Sequence, residues 1–420
     1  MSKAIYCGYP ASGHVNPTLG LVKELTARGE TVIYYSNQHY RSGIEYSGAL
    51  FKDDTSLSFI DQHLKNIDIE GFDPITVFIG FIANNMAMGK HIISSIFEEI
   101  KAANPDYIIH DSFSVWGKQI AKSLNIPAIS TITLFALNNQ MIELDPTGIV
   151  SNLIRTRITS AEASTERNEN LYRRLWGKIS RIISRDHGLE NFDLIDGIMN
   201  KEELNIVFTS KEFQIFSETF DETFKFTGPS IAGRKETAAF PFEKLQDQPL
   251  IFISLGTMFY RNMEFYKKCF TAFEGADRQV VMSVGNETRL AELGEIPGNF
   301  IVRNYVPQIE ILKRAGVFIT HGGMNSINEG IYFQVPLVVF PQEADQFLVA
   351  PRVDSLGAGI YMKDPDISPT ELRKITEKVI SEASYRKKCQ ELSESLKNAG
   401  GSKRAADEIF QFKEQFVHSR

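Results

Sequence analysis

The sequence predicts an α/β fold with two domains, each built on a parallel sheet in the manner of a Rossmann fold. Short apolar runs rich in β-branched residues alternate with amphipathic stretches over the first 130 residues, and the same alternation restarts near residue 250. This alternation is typical of parallel sheets with helices on both faces. The chain of 420 residues is also long enough for two or three domains.

The first half begins with a strand, a turn and a helix. The apolar run 3–8 predicts a buried strand, residues 10–17 predict a turn, and residues 17–28 predict the helix that follows. The later predicted elements of this half are strands at 31–36, 107–110 and 128–132, with a helix over 113–124. Residues 140–200 are polar and poor in strand-forming runs, so they predict helices instead.

One of these helices is amphipathic. Leu171, Leu175, Ile179 and residues 182–183 fall on one face, while the arginines and lysines of segment 167–185 fall mostly on the other. The pattern is typical of a helix that packs through its apolar stripe and leaves its basic face in solvent. The alternative is contact of this segment with an anionic membrane surface.

The second half repeats the pattern after a break. Residues 229–249 contain three prolines and no clear periodicity, which predicts a linker. The strands predicted beyond it are 250–255, 279–284, 299–302, 317–320 and 337–340. We therefore expect an N-terminal domain over 1–228 and a C-terminal domain over 250–404. A final helix over 405–420 is expected to pack back on the N-terminal domain.

Composition excludes several classes of protein. With 43% hydrophobic residues and a net charge of -7, the chain resembles a globular protein and not a general nucleic-acid binder. Cys7, Cys269 and Cys389 are far apart and odd in number, so we expect no structural disulfide and no cysteine zinc site. The N-terminus lacks the features of a signal peptide, and no apolar run reaches the ~20 residues that span a bilayer. We expect a cytoplasmic protein.

The first strand-to-helix turn carries a candidate base. Gly8 and Gly13 have the spacing of a phosphate loop, but His14 stands where that loop needs lysine. His14 is instead a histidine at the carboxyl end of a parallel strand, where ligands of open α/β sheets bind. A helix N-terminus disfavours imidazolium, so His14 can stay neutral and accept a proton. The alternative interpretation is a histidine that only caps the turn.

Asp111 follows the predicted strand 107–110 and therefore lies at a neighbouring strand end. A carboxylate bonded to the far ring nitrogen of His14 would fix the tautomer of the ring and stabilise the imidazolium formed on proton transfer. Taken alone, an aspartate after a strand is also a common helix cap.

The segment 320–329 indicates an anion site. A predicted strand runs into a turn with Gly322 and Gly323, followed by a helix whose free amides suit a phosphate. Glu329 stands one turn further on and can accept hydrogen bonds from two sugar hydroxyls. The side chains that can join the turn are His321, Asn325 and Ser326. Together they describe a site for a diphosphate attached to a ribose, and the alternative is a purely structural turn.

Two more loops follow strands of the second half. Residues 254–257 offer the small hydroxyls of Ser254 and Thr257 near a phosphate, and Asp345 with Gln346 offers a carboxylate and an amide that suit hexose hydroxyls. A helix cap is the alternative for the latter pair. The D-x-D string 364–366 lies away from these strand ends, at a proline turn, so we expect no metal site there.

These motifs resemble the signature of family 1 glycosyltransferases, the UDP-glycosyltransferases. The resemblance rests on segment 305–312, segment 321–329, Pro336, Pro341 and residues 345–346, with 14–17 and 254–257 in matching order. It covers essentially the whole chain, and the subgroup it indicates is that of the bacterial macrolide glycosyltransferases. Tyr305 and Met324 stand where plant relatives carry tryptophan.

The resemblance implies the GT-B fold, in which two Rossmann-like domains face an interdomain cleft. It implies acceptor binding in the N-terminal domain, and His14 as general base assisted by Asp111. It also implies UDP-sugar binding in the C-terminal domain. The implied donor-binding residues are Ser254, Gly256, Thr257, Tyr305, Val306, Gln308, His321, Gly323, Asn325, Ser326, Glu329, Asp345 and Gln346.

The implied reaction is transfer of a hexose, with glucose as the expected sugar, from a UDP-sugar to a small lipophilic hydroxyl compound. Macrolides, flavonoids and other phenols are the acceptor classes. The apolar segments 72–88 and 134–141 could line their pocket, and the alternative interpretation is that these segments belong to the core. The transfer is expected to invert the anomeric centre and to need no metal or permanently bound cofactor. Two alternatives stay open: a membrane-associated lipid sugar transferase and a non-catalytic nucleotide-sugar sensor.

Overall fold

A computed structural model of the chain describes residues 2–54, 56–57, 74–154, 166–187, 192–231, 239–256, 262–285 and 288–417. The described contacts divide the chain into two compact units. Unit 1 comprises Met1–Lys235 and Ala399–Arg420, and unit 2 comprises Glu236–Asn398. The predicted linker 229–249 contains the division between the two units, and the predicted end of the C-terminal domain at 404 lies beyond the limit at Asn398. The predicted domains themselves stay a prediction.

Unit 1 contains a seven-stranded sheet of order β3-β2-β1-β4-β5-β6-β7, in which every described pair is parallel. Its strands are β1 (Lys3–Cys7), β2 (Thr31–Ser36), β3 (Leu50–Asp53), β4 (Tyr107–Asp111), β5 (Ala128–Ile132), β6 (Leu204–Val207) and β7 (Phe224–Phe226). Two buried clusters of apolar side chains cover its opposite faces, as the near-continuous apolar strands predict.

The helices of unit 1 include those that carry or cover the strand ends. They are α1 (Ser12–Ala27), α2 (Arg41–Tyr46), α3 (Pro74–Ala103), α4 (Val115–Leu124), α5 (Asn139–Leu144), α6 (Pro146–Leu153), α7 (Glu166–His187), α8 (Leu194–Met199) and, from the end of the chain, α15 (Gly401–Val417). The region 140–200 is helical where it is described, as predicted.

The prediction of a turn over 10–17 is wrong for most of its length. Helix α1 begins at Ser12 and contains Pro17. Pro17 stands in the second turn of α1, where it lacks an amide and so removes one hydrogen bond of the helix. His14 consequently lies in the first turn of α1 and not before it.

The amphipathic helix α7 buries Tyr172, Trp176, Ile179 and Ile183. Leu171, which the sequence places on the apolar face, is 57% exposed instead. It stands at the edge of the stripe, near the start of the helix, where neighbouring elements no longer cover it. Among the described residues, no helix is long and apolar enough to cross a membrane.

Unit 2 contains a six-stranded parallel sheet of order β10-β9-β8-β11-β12-β13. Its strands are β8 (Leu250–Ser254), β9 (Val280–Ser283), β10 (Phe300–Arg303), β11 (Ala315–Thr320), β12 (Leu337–Val339) and β13 (Gly359–Tyr361). Its helices are α9 (Met263–Phe273), α10 (Gln308–Leu312), α11 (Met324–Tyr332), α12 (Gln346–Ser355), α13 (Pro369–Ser381) and α14 (Ala383–Asn398).

Both sheets have a point where the strand order reverses. In unit 1 the chain moves outward from β1 through β2 to β3 and then returns to place β4 beside β1. In unit 2 the same reversal places β11 beside β8. Ligands of open α/β sheets bind at such switch points, outside the carboxyl ends of the strands. The two motifs of interest, His14 with Asp111 and segment 320–329, stand at these two points.

The terminal helix α15 belongs to unit 1. Ala405, Ala406, Ile409 and Phe412 are buried in the same cluster as residues of α1 and β6. Lys413 Nζ lies 2.7 Å from Glu30 Oε1, and the Tyr107 hydroxyl donates to Glu30 Oε2 at 2.8 Å. The helix is therefore fixed by apolar packing and by a largely buried ion pair.

Candidate active site

The candidate base and its carboxylate meet at the switch point of unit 1. His14 lies in the first turn of α1. Asp111 is the last residue of β4, which pairs with β1 in the sheet. His14 Nδ1 lies 2.9 Å from Asp111 Oδ2, and the exposed fractions of the two side chains are 11% and 1%. Because Nδ1–H donates to the carboxylate, the lone pair of the neutral ring is on Nε2, which can accept a proton.

Asp111 is itself held in place. Its Oδ1 accepts a hydrogen bond from the Phe113 backbone amide at 2.8 Å, while Oδ2 faces His14. The aspartate thus closes the turn after β4 through one oxygen and orients the imidazole through the other. It does not cap the helix that follows, because the N-cap residue of α4 is Ser114.

Three further side chains complete the surroundings of His14, and the sequence analysis identified none of them. Thr133 Oγ1 lies 3.1 Å from His14 Nδ1. The rings of Tyr9 and Phe113 have centroids 5.1 Å and 4.9 Å from that of His14. The base therefore lies between aromatic rings, which exclude water and suit an apolar acceptor. Aromatic residues directly after β1 and β4 were the available signal.

The predicted acceptor segments reach this region in part. Within α3, Asn85 Nδ2 donates to the Phe113 carbonyl at 2.8 Å, and the Phe81 ring centroid is 5.6 Å from that of Phe113. Helix α3 thus packs against Phe113, whose ring lies beside that of His14. Residues 72–73 lie outside the described residues. In segment 134–141, Phe135 and Met141 are buried core residues, which fits the alternative interpretation of that segment.

In unit 2, His321 of the turn between β11 and α11 lies against two glycines, one in its own turn and one in the loop after β8. A Cβ atom added to Gly256 or to Gly323 would lie 2.5 Å from His321 Nε2. Gly256 follows β8 and has a φ of +83°, so it also needs the conformational freedom of glycine. Desolvation lowers the pKa of His321 to about 4, and the ring is therefore neutral at pH 7. The N-cap residue of helix α11 is Gly323, which has no side chain with which to cap the first turn.

The predicted ribose ligand Glu329 is buried and paired within the site. Gln308 Nε2 donates to Glu329 Oε2 at 2.6 Å and lies 3.5 Å from Ser326 Oγ. These contacts join the start of α10 to α11, so two predicted donor residues are neighbours in the fold. Asn325 occupies the first turn of α11, beside Ser326.

The remaining predicted donor residues are distributed around the same sheet edge. Tyr305 is 40% exposed and precedes the buried Val306 in the loop between β10 and α10. Ser254 ends β8, and its Oγ accepts a hydrogen bond from the Gly256 amide at 3.4 Å. Thr257 lies outside the described residues.

In the loop after β12, one of the two residues predicted to bind the sugar makes hydrogen bonds within the loop itself. Gln346 Oε1 accepts hydrogen bonds from the backbone amides of Gln342 and Glu343, at 2.7 Å and 3.0 Å. Only its Nε2 group can therefore serve a sugar hydroxyl. Asp345 is at the N-cap position of α12, but its side chain makes no capping hydrogen bond.

Comparisons with known proteins identify the family. A family model described as "Erythromycin biosynthesis protein CIII-like, C-terminal domain" matches residues 268–409. The chain is 36% identical over 423 residues to the uncharacterized UDP-glucosyltransferase YojK of Bacillus subtilis, covering 100% of this chain and 99% of that protein. The chain belongs to the family 1 glycosyltransferases of the macrolide glycosyltransferase type. This transferase is a UDP-dependent enzyme.

Two further likenesses agree with this assignment. The NDP-glycosyltransferase YjiC of Bacillus subtilis is 35% identical over 405 residues, covering 96% of the transferase and 95% of the relative. Among solved structures, the "Glycotransferase of kitacinnamycin" matches with a TM-score of 0.75 and 25% identity over 98% of each chain. The two Rossmann-like units of the transferase are therefore those of a GT-B glycosyltransferase.

The D-x-D string of the transferase forms a surface turn. Asp364 Oδ1 accepts a hydrogen bond from the Asp366 backbone amide at 2.9 Å, and both residues are exposed. One carboxylate is thus used in the turn. Within the described ranges, no group of three histidine, cysteine, aspartate or glutamate side chains is arranged to hold a metal ion.

Proposed function

We propose that the transferase moves glucose from UDP-glucose to a hydroxyl group of a small lipophilic acceptor, with inversion of the anomeric centre. The observation that supports it most directly is the His14–Asp111 pair, with 2.9 Å between Nδ1 and Oδ2 at the switch point of unit 1. A nucleotide-sugar sensor would have no use for this pair. The name of the relative YojK supports glucose as the sugar.

The proposed reaction is a single displacement. His14 Nε2 takes the proton of the acceptor hydroxyl as its oxygen attacks the anomeric carbon, and the bond from that carbon to the UDP oxygen breaks. Asp111 stabilises the imidazolium that forms, because the Nδ1–H···Oδ2 hydrogen bond becomes charge-assisted at both ends. The electron pair of the broken bond remains on UDP.

The leaving diphosphate is proposed to be stabilised by protein groups without a metal. These groups are the N-terminus of α11 and the His321 ring. Gly256 and Gly323 lie against that ring, and a side chain at either position would collide with it. Glu329 is proposed to accept hydrogen bonds from the ribose hydroxyls, with Gln308 holding its other oxygen. Tyr305 is proposed to stack on the base, and Asp345 with Gln346 to bind the sugar.

The acceptor is proposed to be an apolar hydroxyl compound such as a macrolide, a flavonoid or another phenol. The rings of Tyr9 and Phe113 beside His14, and the ring of Phe81 against Phe113, support an apolar acceptor. The family description, which refers to erythromycin biosynthesis, supports the macrolide class.

Mass spectrometry of reaction products tests this proposal. The transferase is incubated with UDP-glucose and a panel of flavonoids, simple phenols and macrolides, with and without EDTA. We expect a hexose mass gain with the wild-type chain and none with His14→Ala, while calorimetry shows unchanged UDP binding by the variant. Loss of UDP binding together with activity would mean that His14 is structural. A collapse of activity in EDTA that added metal restores would overturn the metal-free mechanism.

A further inference from the structure

The hydroxyl of Thr320, at the end of β11, stands between the backbone and the ring of His321. Thr320 is fully buried. Its Oγ1 lies 3.4 Å from the Gly322 backbone nitrogen and 3.4 Å from His321 Nδ1. This small network lies at the start of the turn that is proposed to hold the diphosphate.

The chemistry of the three groups determines the direction of both contacts. The Gly322 amide can only donate, so Thr320 Oγ1 is the acceptor of that hydrogen bond. The hydroxyl then has one hydrogen left, and its neighbour His321 Nδ1 can accept it if that nitrogen carries a lone pair. A buried hydroxyl that does not donate loses the hydrogen bond it would make to water. The network therefore favours the tautomer of His321 in which Nδ1 carries the lone pair and Nε2 carries the hydrogen.

The opposite ring nitrogen faces the two glycines. His321 Nε2 is 2.5 Å from the positions that a Cβ atom of Gly256 or Gly323 would occupy. An Nε2–H group at this position donates to an anion that lies over the turn, whereas an Nε2 lone pair would repel the same anion. A neutral imidazole carries only one N–H, so the tautomer decides whether His321 helps or hinders an anionic group.

We propose that Thr320 is a positioning residue whose hydroxyl fixes the Nε2–H tautomer of His321, so that a neutral imidazole donates to the diphosphate as it leaves. The inference rests on the proposed function for the value of the donor, but the tautomer itself is a property of the protein without substrate. Desolvation holds the pKa of His321 at about 4. Protonation therefore does not supply a second N–H at neutral pH.

Two substitutions of Thr320 distinguish the effect of its hydroxyl from the effect of its side-chain volume. Thr320→Val keeps the volume and removes the hydroxyl, whereas Thr320→Ser keeps the hydroxyl and removes a methyl group. We expect kcat to fall about tenfold in Thr320→Val and to stay within about threefold of wild type in Thr320→Ser. The KM for UDP-glucose should rise less than kcat falls, because negative charge on the leaving oxygen grows as the bond breaks.

Nitrogen NMR of the protein labelled with ¹⁵N-histidine gives a readout independent of activity. The chain has eight histidines, and His321→Gln identifies the signals of His321. In the wild type and in Thr320→Ser we expect Nε2 to be protonated and Nδ1 to have the shift of an unprotonated nitrogen. In Thr320→Val we expect a mixture of tautomers. Thermal unfolding of each variant checks that it is folded.

The outcomes distinguish the inference from the function on which it rests. An Nδ1–H tautomer in the wild type overturns the inference, as does an unchanged tautomer in Thr320→Val. Equal losses of activity in the valine and serine variants would mean that Thr320 acts only through packing, which also overturns it. If no acceptor is glucosylated by the wild type while the tautomer shifts as expected, the tautomer assignment stands and the proposed reaction fails.

Discussion

At the scale of single residues, the proposed catalysis depends on the two hydrogen bonds of the Asp111 carboxylate. Asp111 Oδ1 closes the turn after β4, and Oδ2 orients His14. Asp111→Asn keeps the size of the side chain but removes its charge, and an amide nitrogen facing Nδ1 would favour the wrong tautomer of His14. We expect kcat to fall by a factor of ~10²–10⁴ with nearly unchanged UDP affinity. Steady-state kinetics with calorimetry checks this, and wild-type turnover by the variant would contradict it.

His321 should make stability depend on pH in a defined direction. Its folded-state pKa is lowered to about 4 from the ordinary value of 6.5. Between pH 6.5 and 4 the unfolded chain therefore takes up a proton that the folded chain does not, and acidification destabilises the protein. Between pH 7 and pH 5 we expect the wild type to lose ~1–2 kcal/mol of unfolding free energy more than His321→Gln does. Urea titrations at the two pH values measure this, and parallel losses in both proteins would contradict it.

The His14–Asp111 contact could be predicted because it follows from topology alone. Both residues stand at the carboxyl ends of strands, and neighbouring parallel strands end at the same edge of the sheet. Thr133 could not be found in this way, because a threonine after a strand is too common to mark a site. The network of Thr320 was equally invisible, since its importance depends on which ring nitrogen it faces.

At the scale of elements, the β11–α11 turn needs a glycine because the ring of His321 occupies the space that a Cβ atom would take. Gly323 has no unusual φ, but a Cβ there would lie 2.5 Å from His321 Nε2. Gly323→Ala must displace the ring, so we expect UDP affinity to fall at least ~10-fold. Gly298→Ala is the matched control, because a Cβ at Gly298 meets nothing within 4 Å. Calorimetry with UDP compares them, and equal affinities would show that the ring position is unimportant.

The elements that were predicted less well have identifiable physical reasons. The start of α1 was placed too late because Gly13 and Pro17 are typical of turns, although the helix contains both. The exposure of Leu171 was missed because periodicity gives the apolar face of a helix but not the extent of the element that covers it. Gln346 was predicted as a sugar ligand, and the hydrogen bonds to its own loop could not be read from the sequence.

At the scale of the whole molecule, the C-terminal helix closes unit 1 although it follows unit 2 in the sequence. The pair of Lys413 and Glu30 is largely buried, with exposed side-chain fractions of 12% and 5%. Lys413→Met leaves the Glu30 carboxylate without its cation, and we expect a loss of ~2–4 kcal/mol in unfolding free energy. Lys403→Met, at an exposed position of the same helix, should change it by less than ~0.5 kcal/mol. Equal effects in urea titrations would show that the buried pair does not fix the helix.

His14 is proposed to act as the base in a single inverting displacement. Proton NMR of the glucoside formed from UDP-glucose tests this mechanism, because the anomeric bond of UDP-glucose is α. We expect a β-linked product from the wild type and no product from a folded His14→Ala variant that still binds UDP. An α-linked product, or product formation by His14→Ala at the wild-type rate, would contradict the mechanism.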